Sequence, residues 1–180
     1  PSATLVEFLL VAGSRIDCGV VEELTLEAPI LPSEHDEVEL QVSVQEPDGY
    51  LGTYAPERRF MRPQPPKPPS WNGEPSVRTW DIWTHAYLVL GLLEAHRHFA
   101  EPRWLDAARR IGDLCWHTLT EGGIDITELG NHFGLSATVL LDPAMELHAA
   151  TGEARYLELA KRVLAQANAH RDLALLPRIQ

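Results

Sequence analysis

The sequence predicts a mainly α protein built from helical hairpins and preceded by a short α+β segment. Two observations carry this reading. Residues 88–111 recur, offset by 52 positions, as residues 140–163. Leu88, Glu94, His96, Glu101, Arg103, Leu105, Ala108 and Arg110 return as Leu140, Glu146, His148, Glu153, Arg155, Leu157, Ala160 and Arg162. Each copy reads as helix, short break, helix, and such a period marks an array whose hairpins bury their apolar faces against neighbours. The second observation is a change in hydrophobic period near Val44, from that of a strand to that of a helix.

In chain order, Leu5 to Ala12 is apolar and bounded by Gly13, which suits a short buried helix. Leu24 and Leu26 alternate with Thr25 and Glu27, and Val38, Leu40, Val42 and Val44 alternate with Glu39, Gln41 and Ser43. Both read as half-buried strands, joined through a turn containing Pro29, Pro32 and Ser33 to Asp36. Pro47-Asp48-Gly49 is turn chemistry. The prolines between Arg62 and Pro75 exclude helix and central strand there. Taken alone, that stretch is either a loop or a polyproline ligand. Trp80 to Phe99 lacks breakers and forms the first long helix. Pro102 suits the first turn of the next, whose inner face would be Leu105, Ala108, Ile111, Leu114 and Cys115, stopped by Gly122-Gly123. Val139 to Ala150 gives a third helix, with Asp142-Pro143 capping or kinking its start. Thr151-Gly152 ends it, and Ala154 to Ala169 is the fourth. The short connections imply antiparallel neighbours, with Leu105/Leu157 and Ala108/Ala160 facing inward.

The balance of charge narrows the function. With 26 acidic and 15 basic residues the formal charge is −11, which opposes a nucleic-acid surface and fits a neutral ligand. No apolar run approaches the ~20 residues needed to span a bilayer, so no membrane partner is expected. Cys18 and Cys115 lie far apart, outside ligand-like spacing, and fit two free thiols in a reducing, cytoplasmic setting.

Histidines are the most frequent candidates for chemistry. His85 and His96 lie nearly in phase on one helix but roughly 16 Å apart along its axis at ~1.5 Å per residue, too far to share an ion. Asp81 and His85, four apart, can meet as an imidazole–carboxylate pair, either structural or functional. His96 and His148 hold equivalent repeat positions, which favours a structural role. His132, in the loop Asn131-His132-Phe133-Gly134, suits a ligand contact or a turn. Trp71, Trp80 and Trp83 can stack on sugar rings or pack in the core. No phosphate loop, nucleophile elbow or metal-protease helix is present.

Gln45-Glu46-Pro47-Asp48-Gly49-Tyr50-Leu51-Gly52-Thr53-Tyr54 resembles a segment of the β-L-arabinofuranosidase superfamily, glycoside hydrolase family 127 and relatives. Trp83-Thr84-His85-Ala86-Tyr87, Gly91 to Ala95, Asn131 to Leu135, Glu146-Leu147 and Thr151 to Leu157 continue the likeness in order, over roughly residues 45–165. The resemblance implies a partial (α/α)6 toroid and a terminal sugar or glycoside bound at its mouth. Asp48, Tyr50, Trp83, His85 and His132 would line that rim, with His85 on the sugar. Ala86 stands where the family usually has Glu. A second family histidine falls near Ala137, and His132 is its substitute. The family's acid/base glutamate and its zinc-bound cysteine cluster match no residue here. The expectation is therefore no cofactor in this chain, unassigned catalytic residues and binding without turnover.

Pro1 to Gly13 and Val21 to Pro29 resemble the dehydratase domain of modular polyketide synthases, a hot-dog fold. This divides the chain into a hot-dog-like fragment (1–44), a Pro-rich region (45–78) and α/α-toroid hairpins (79–180), a junction that a chimera, a fused gene fragment or an engineered shuffle would each explain. Two other functions stand beside the glycosidase fragment: a helical-repeat interaction module, and a hydro-lyase fragment of the dehydratase. Uncovered helix faces predict self-association.

Overall fold

In a computed structural model, residues 42–62, 78–130, 132–171, 173, 174 and 176 are described. Four helices follow one another as two hairpins: α1 (Asp81–Phe99), α2 (Pro102–Thr120), α3 (Leu141–Thr151) and α4 (Ala154–Ala169). No strand occurs among the described residues. Helix α1 packs on α2 and α3 on α4, and the hairpins meet chiefly through α1 and α3. No helix among the described residues is long and apolar enough to cross a membrane.

The burial pattern separates inner from outer helices. Helix α1 buries Ile82, Ala86, Leu88, Val89, Leu92, Leu93 and Ala95, positions spread around much of its circumference. Its partner α2 buries one stripe, Trp104, Ala107, Ala108, Ile111, Cys115 and Leu119, and turns charges outward. Helix α4 repeats that stripe as Tyr156, Leu159, Ala160, Val163 and Ala167. The first five α2 positions map onto the five of α4 at the 52-residue offset, so the sequence repeat is a repeat of packing. This supports two adjacent hairpins of a helical toroid, in which an inner helix is covered by neighbours on both sides and an outer one only from within.

The inward face differs in phase from the sequence expectation. Ala108 and Ala160 are buried, at 0% and 4% exposure. Leu105 and Leu157 are only half-buried, and the large inward side chains are the preceding Trp104 and Tyr156, both at 0%. Leu114 is likewise half-buried. The aromatic ring fills more of the space between helices than the leucine beside it, which sets the helix rotation.

Each hairpin break is built twice from the same parts. Helix α1 ends at Ala100 and α3 at Gly152, both in the left-handed region (φ 56° and 72°), with their amides donating to the carbonyls of His96 and His148. The His96 Nδ1–H donates to the Glu101 carbonyl at 2.8 Å, and the His148 Nδ1–H to the Glu153 carbonyl at 3.0 Å. A histidine thus reaches across each break and ties one helix end to the next helix start. That is the structural role expected for the pair. Arg103 and Arg155 lie over the Trp104 and Tyr156 rings, at 4.4 and 5.0 Å.

At Gly112, α2 lies close against the second hairpin. A Cβ there would lie 2.6 Å from Leu147 Cδ1 and 2.8 Å from Tyr156 Cε1. An ion-pair network borders this contact, with Arg155 on Asp113 at 2.7 Å and Arg109 on Glu153 at 2.6 Å. Cys115, buried and free, faces the same core, and burial pushes its thiol up to about 12.

Part of the N-terminal expectation falls on described residues. Val42 and Ser43 begin a helical turn closed by the Gln45 amide on the Val42 carbonyl at 3.2 Å, so the end of the expected Val38–Val44 strand is not extended. Val42 packs against the core while Val44 stays 64% exposed, which gives the alternation no sheet to serve. The remaining hot-dog-like segment, Cys18, Trp71 and most of the proline-rich stretch lie outside the described residues.

Gly112→Val is expected to destabilise the fold by about 1–3 kcal/mol through overpacking, read as a lower urea midpoint at unchanged slope. His96→Ala and His148→Ala should each cost about 0.5–1.5 kcal/mol, and near-equal losses would reflect their equivalent hinges.

Candidate functional site

Asp81, the first residue of α1, is the centre of the site. Its side chain is 2% exposed, yet both carboxylate oxygens are satisfied. Tyr50 donates its hydroxyl to Oδ1 at 2.7 Å, and the Phe60 amide donates to Oδ2 at 2.8 Å. Tyr50 and Phe60 belong to a strap, residues 45–62, that crosses the start of α1. One carboxylate therefore holds the strap at two points. Burial, reinforced by the bond to Asp81, raises the Tyr50 phenol far above its ordinary range, so it remains a donor at any working pH.

One turn further along α1, His85 is fully buried. Its Nδ1 lies 2.7 Å from the Asp81 backbone carbonyl and its Nε2 3.1 Å from the Leu51 amide. A carbonyl only accepts and an amide only donates, so Nδ1 carries the proton and Nε2 accepts. The expected imidazole–carboxylate pair is thus replaced by a bond to the main chain, because the Asp81 carboxylate is taken by Tyr50 and Phe60. Burial is the largest influence on His85 and lowers its pKa below the ordinary 6.5. The Tyr50 and Phe60 rings cover it, at centroid distances of 4.9 and 5.9 Å.

The strap is fastened elsewhere too. Gln45 Nε2 donates to the Ala107 and Gly49 carbonyls, each at 3.0 Å. Asp48 Oδ1 accepts the Tyr50 amide at 2.9 Å, an Asx turn that sets the reversal. Gly49 takes φ 95°, and a Cβ there would lie 2.2 Å from the Arg110 carbonyl oxygen, so only glycine lets the strap lie this close to α2. Arg59 stacks over the Tyr50 ring at 3.6 Å and pairs with Glu46.

Beside this anchor lies a shallow, open recess, lined by Phe60, Thr79, Trp80, Trp83, Gly130, Ser136 and Ala137 among others. The Trp80 and Trp83 rings meet edge to face at 6.3 Å. Helix α1 begins without a side-chain cap, so its first-turn amides lack intrahelical acceptors. The opposite wall is the linker between the hairpins. There a 3₁₀ segment, His132–Leu140, is broken by Phe133 (φ 56°) and Gly134 (φ 84°). His132 also has positive φ, 47°, making a run of left-handed residues unusual for side chains of this size. A Cβ at Gly134 would meet the Ile126 carbonyl oxygen at 2.2 Å, which explains the glycine.

Of the sequence-predicted site residues, Trp83 lines the recess. Tyr50 is a buried part of the strap, His85 lies beneath it, and both His85 nitrogens are engaged. Asp48 sits on the strap surface, and His132 is half-buried in the kinked linker. Ala137 is the repeat equivalent of His85 and does line the recess. Sequence reasoning missed Phe60, Thr79 and Ser136, which have no motif of their own. Among the described residues no three His, Cys, Asp or Glu side chains gather into a metal-binding cluster.

Tyr50→Phe should leave Asp81 Oδ1 buried without its donor and cost about 1–3 kcal/mol, measured by urea denaturation. Gly49→Ala should cost at least as much, since both its φ and the Arg110 carbonyl oppose a side chain.

Comparison with known proteins places this geometry. A 48-residue stretch, 27% of the chain, is 48% identical to polyketide synthase GfsE of Streptomyces halstedii, of which it spans 1%. No solved structure matches the chain. The family model for the β-L-arabinofuranosidase, GH127 catalytic domain matches residues 33–174, starting ahead of Gln45 and taking in the strap, both hairpins and the linker. The chain belongs to the GH127 β-L-arabinofuranosidase catalytic-domain family.

Proposed function

We propose that this chain contributes part of a terminal-sugar-binding rim to a glycoside hydrolase of the β-L-arabinofuranosidase type, with residues 1–44 a dehydratase-like segment fused ahead of it. The observation that carries the reading is the recess at the start of α1. Two indoles, the Phe60 ring and the hydroxyl-bearing Thr79 and Ser136 meet there beside the start of the helix. Sugar C–H faces pack on indole, and neutral hydroxyls suit amide and hydroxyl partners. The ligand is thus a neutral arabinofuranoside, in keeping with the acidic chain. Trp83 supplies the stacking surface. His85 and Tyr50 support the floor from below, and His132 fixes the linker opposite. Exposed Leu135 and Met145, at 45% and 44%, belong to uncovered faces through which copies self-associate.

Saturation-transfer NMR with methyl β-L-arabinofuranoside tests this reading. The expected dissociation constant is about 1–10 mM, weakened at least tenfold in Trp83→Ala. No transfer at saturating sugar, or equal transfer in Trp83→Ala, would overturn it.

A further inference from the structure

We propose that the strap over α1 is a proton-released latch, whose bolt is the hydrogen bond from the Leu51 amide to His85 Nε2. The inference rests on the strap's own geometry and does not depend on the sugar reading.

Its logic is one of donors and acceptors. The Nδ1 proton is committed to the Asp81 carbonyl, so Nε2 is the ring's remaining lone pair, and the Leu51 amide uses it. A second proton on the ring must go to Nε2. It would place N–H against N–H at 3.1 Å inside a fully buried site. The amide would lose its acceptor and the new Nε2–H would have none, an arrangement that costs more than moving the strap. Strap and α1 have another acceptor pairing, through Asp81, but it holds Tyr50 and Phe60 rather than Leu51. Protonation therefore unfastens the middle of the strap and opens His85 to solvent.

The charges around the ring act in both directions. Asp81 on α1 and Asp48 on the strap favour the imidazolium, whereas Arg59 on the strap opposes it. The Tyr50 phenol over the ring and the Cys115 thiol on α2, held near Asp81, are both pushed up by burial and stay neutral. Desolvation outweighs the two carboxylates, so the closed state lowers the histidine pKa. The sign follows directly. With the strap closed the ring resists a proton, and with it open the ring titrates near its ordinary 6.5. Closure is fully favoured above that value and weakens as pH falls below it, until the closed-state pKa is reached.

Amide hydrogen exchange by NMR on the full 180-residue chain, between neutral pH and mild acid, tests this. After correction for intrinsic exchange chemistry, the opening constant of the Leu51 amide should rise about tenfold per pH unit below ~6.5, the slope for uptake of one proton. The Ile111 amide, inside α2, should stay protected throughout. In His85→Gln, whose side-chain oxygen accepts the amide but does not titrate, the slope should vanish. In Tyr50→Phe, which weakens the strap without touching the ring, the opening constant should be higher at every pH with the slope kept. A Leu51 opening constant independent of pH would overturn the latch. So would a slope that persists in His85→Gln, or Ile111 opening in step with Leu51. Should His85→Gln not fold, the wild-type and Tyr50→Phe slopes decide alone: two parallel slopes support the latch, and a flat line in either sinks it.

Discussion

A single buried carboxylate organises the candidate site of this molecule. Asp81 sits at the start of an inner helix, where the helix dipole favours negative charge and where no side-chain cap is present. Isolated, such a group would be costly to bury. Here it accepts a phenol and a main-chain amide from the same strap, while its own carbonyl receives a histidine. Those contacts fix the strap, the strap covers His85, and the recess takes its Phe60 wall from the strap's far end. The hairpins supply a rigid platform, but the shape of the recess follows from where Asp81 directs its two oxygens.

The hairpins were largely legible in the sequence because their determinants are local and duplicated. Four helices follow from uninterrupted apolar patterning, Pro102, Gly122-Gly123 and the break at Thr151-Gly152. The offset that links His96 to His148 also pairs the buried stripes of α2 and α4. What escaped was rotation: leucine repeats drew attention from Trp104 and Tyr156, one residue earlier, whose larger rings decide which way each outer helix turns. The kinked linker was also hidden. Positions 133–140 are the repeat equivalents of the start of α1, yet Gly134 and two left-handed neighbours stop a regular helix from beginning before Leu141.

The site was legible in outline and not in connectivity. Family likeness pointed to Tyr50, Trp83 and His85 as candidates, but that likeness does not say which atoms face which. Asp81 and His85 at helical spacing suggested a side-chain pair, and the structure instead splits them between carboxylate and carbonyl. Non-local partners made the difference, since Tyr50 lies 31 positions from Asp81 and Leu51 lies 34 from His85. No periodicity encodes such distances. Phe60, Thr79 and Ser136 were invisible for the same reason.

The histidine hinges have a consequence for how the chain assembles. Each joins residues only five apart, and each lies inside a hairpin whose two helices are adjacent in sequence. Contacts of that kind close small loops and carry little entropic penalty. The strap is the opposite: Gln45 must find Ala107 across 62 positions. Local closure precedes distant closure when stabilities are comparable, so each hairpin closes before the strap docks across it. A newly made chain would then expose His85 and the floor of the recess until that docking, and the segment that arrives later is the one that shields this buried histidine.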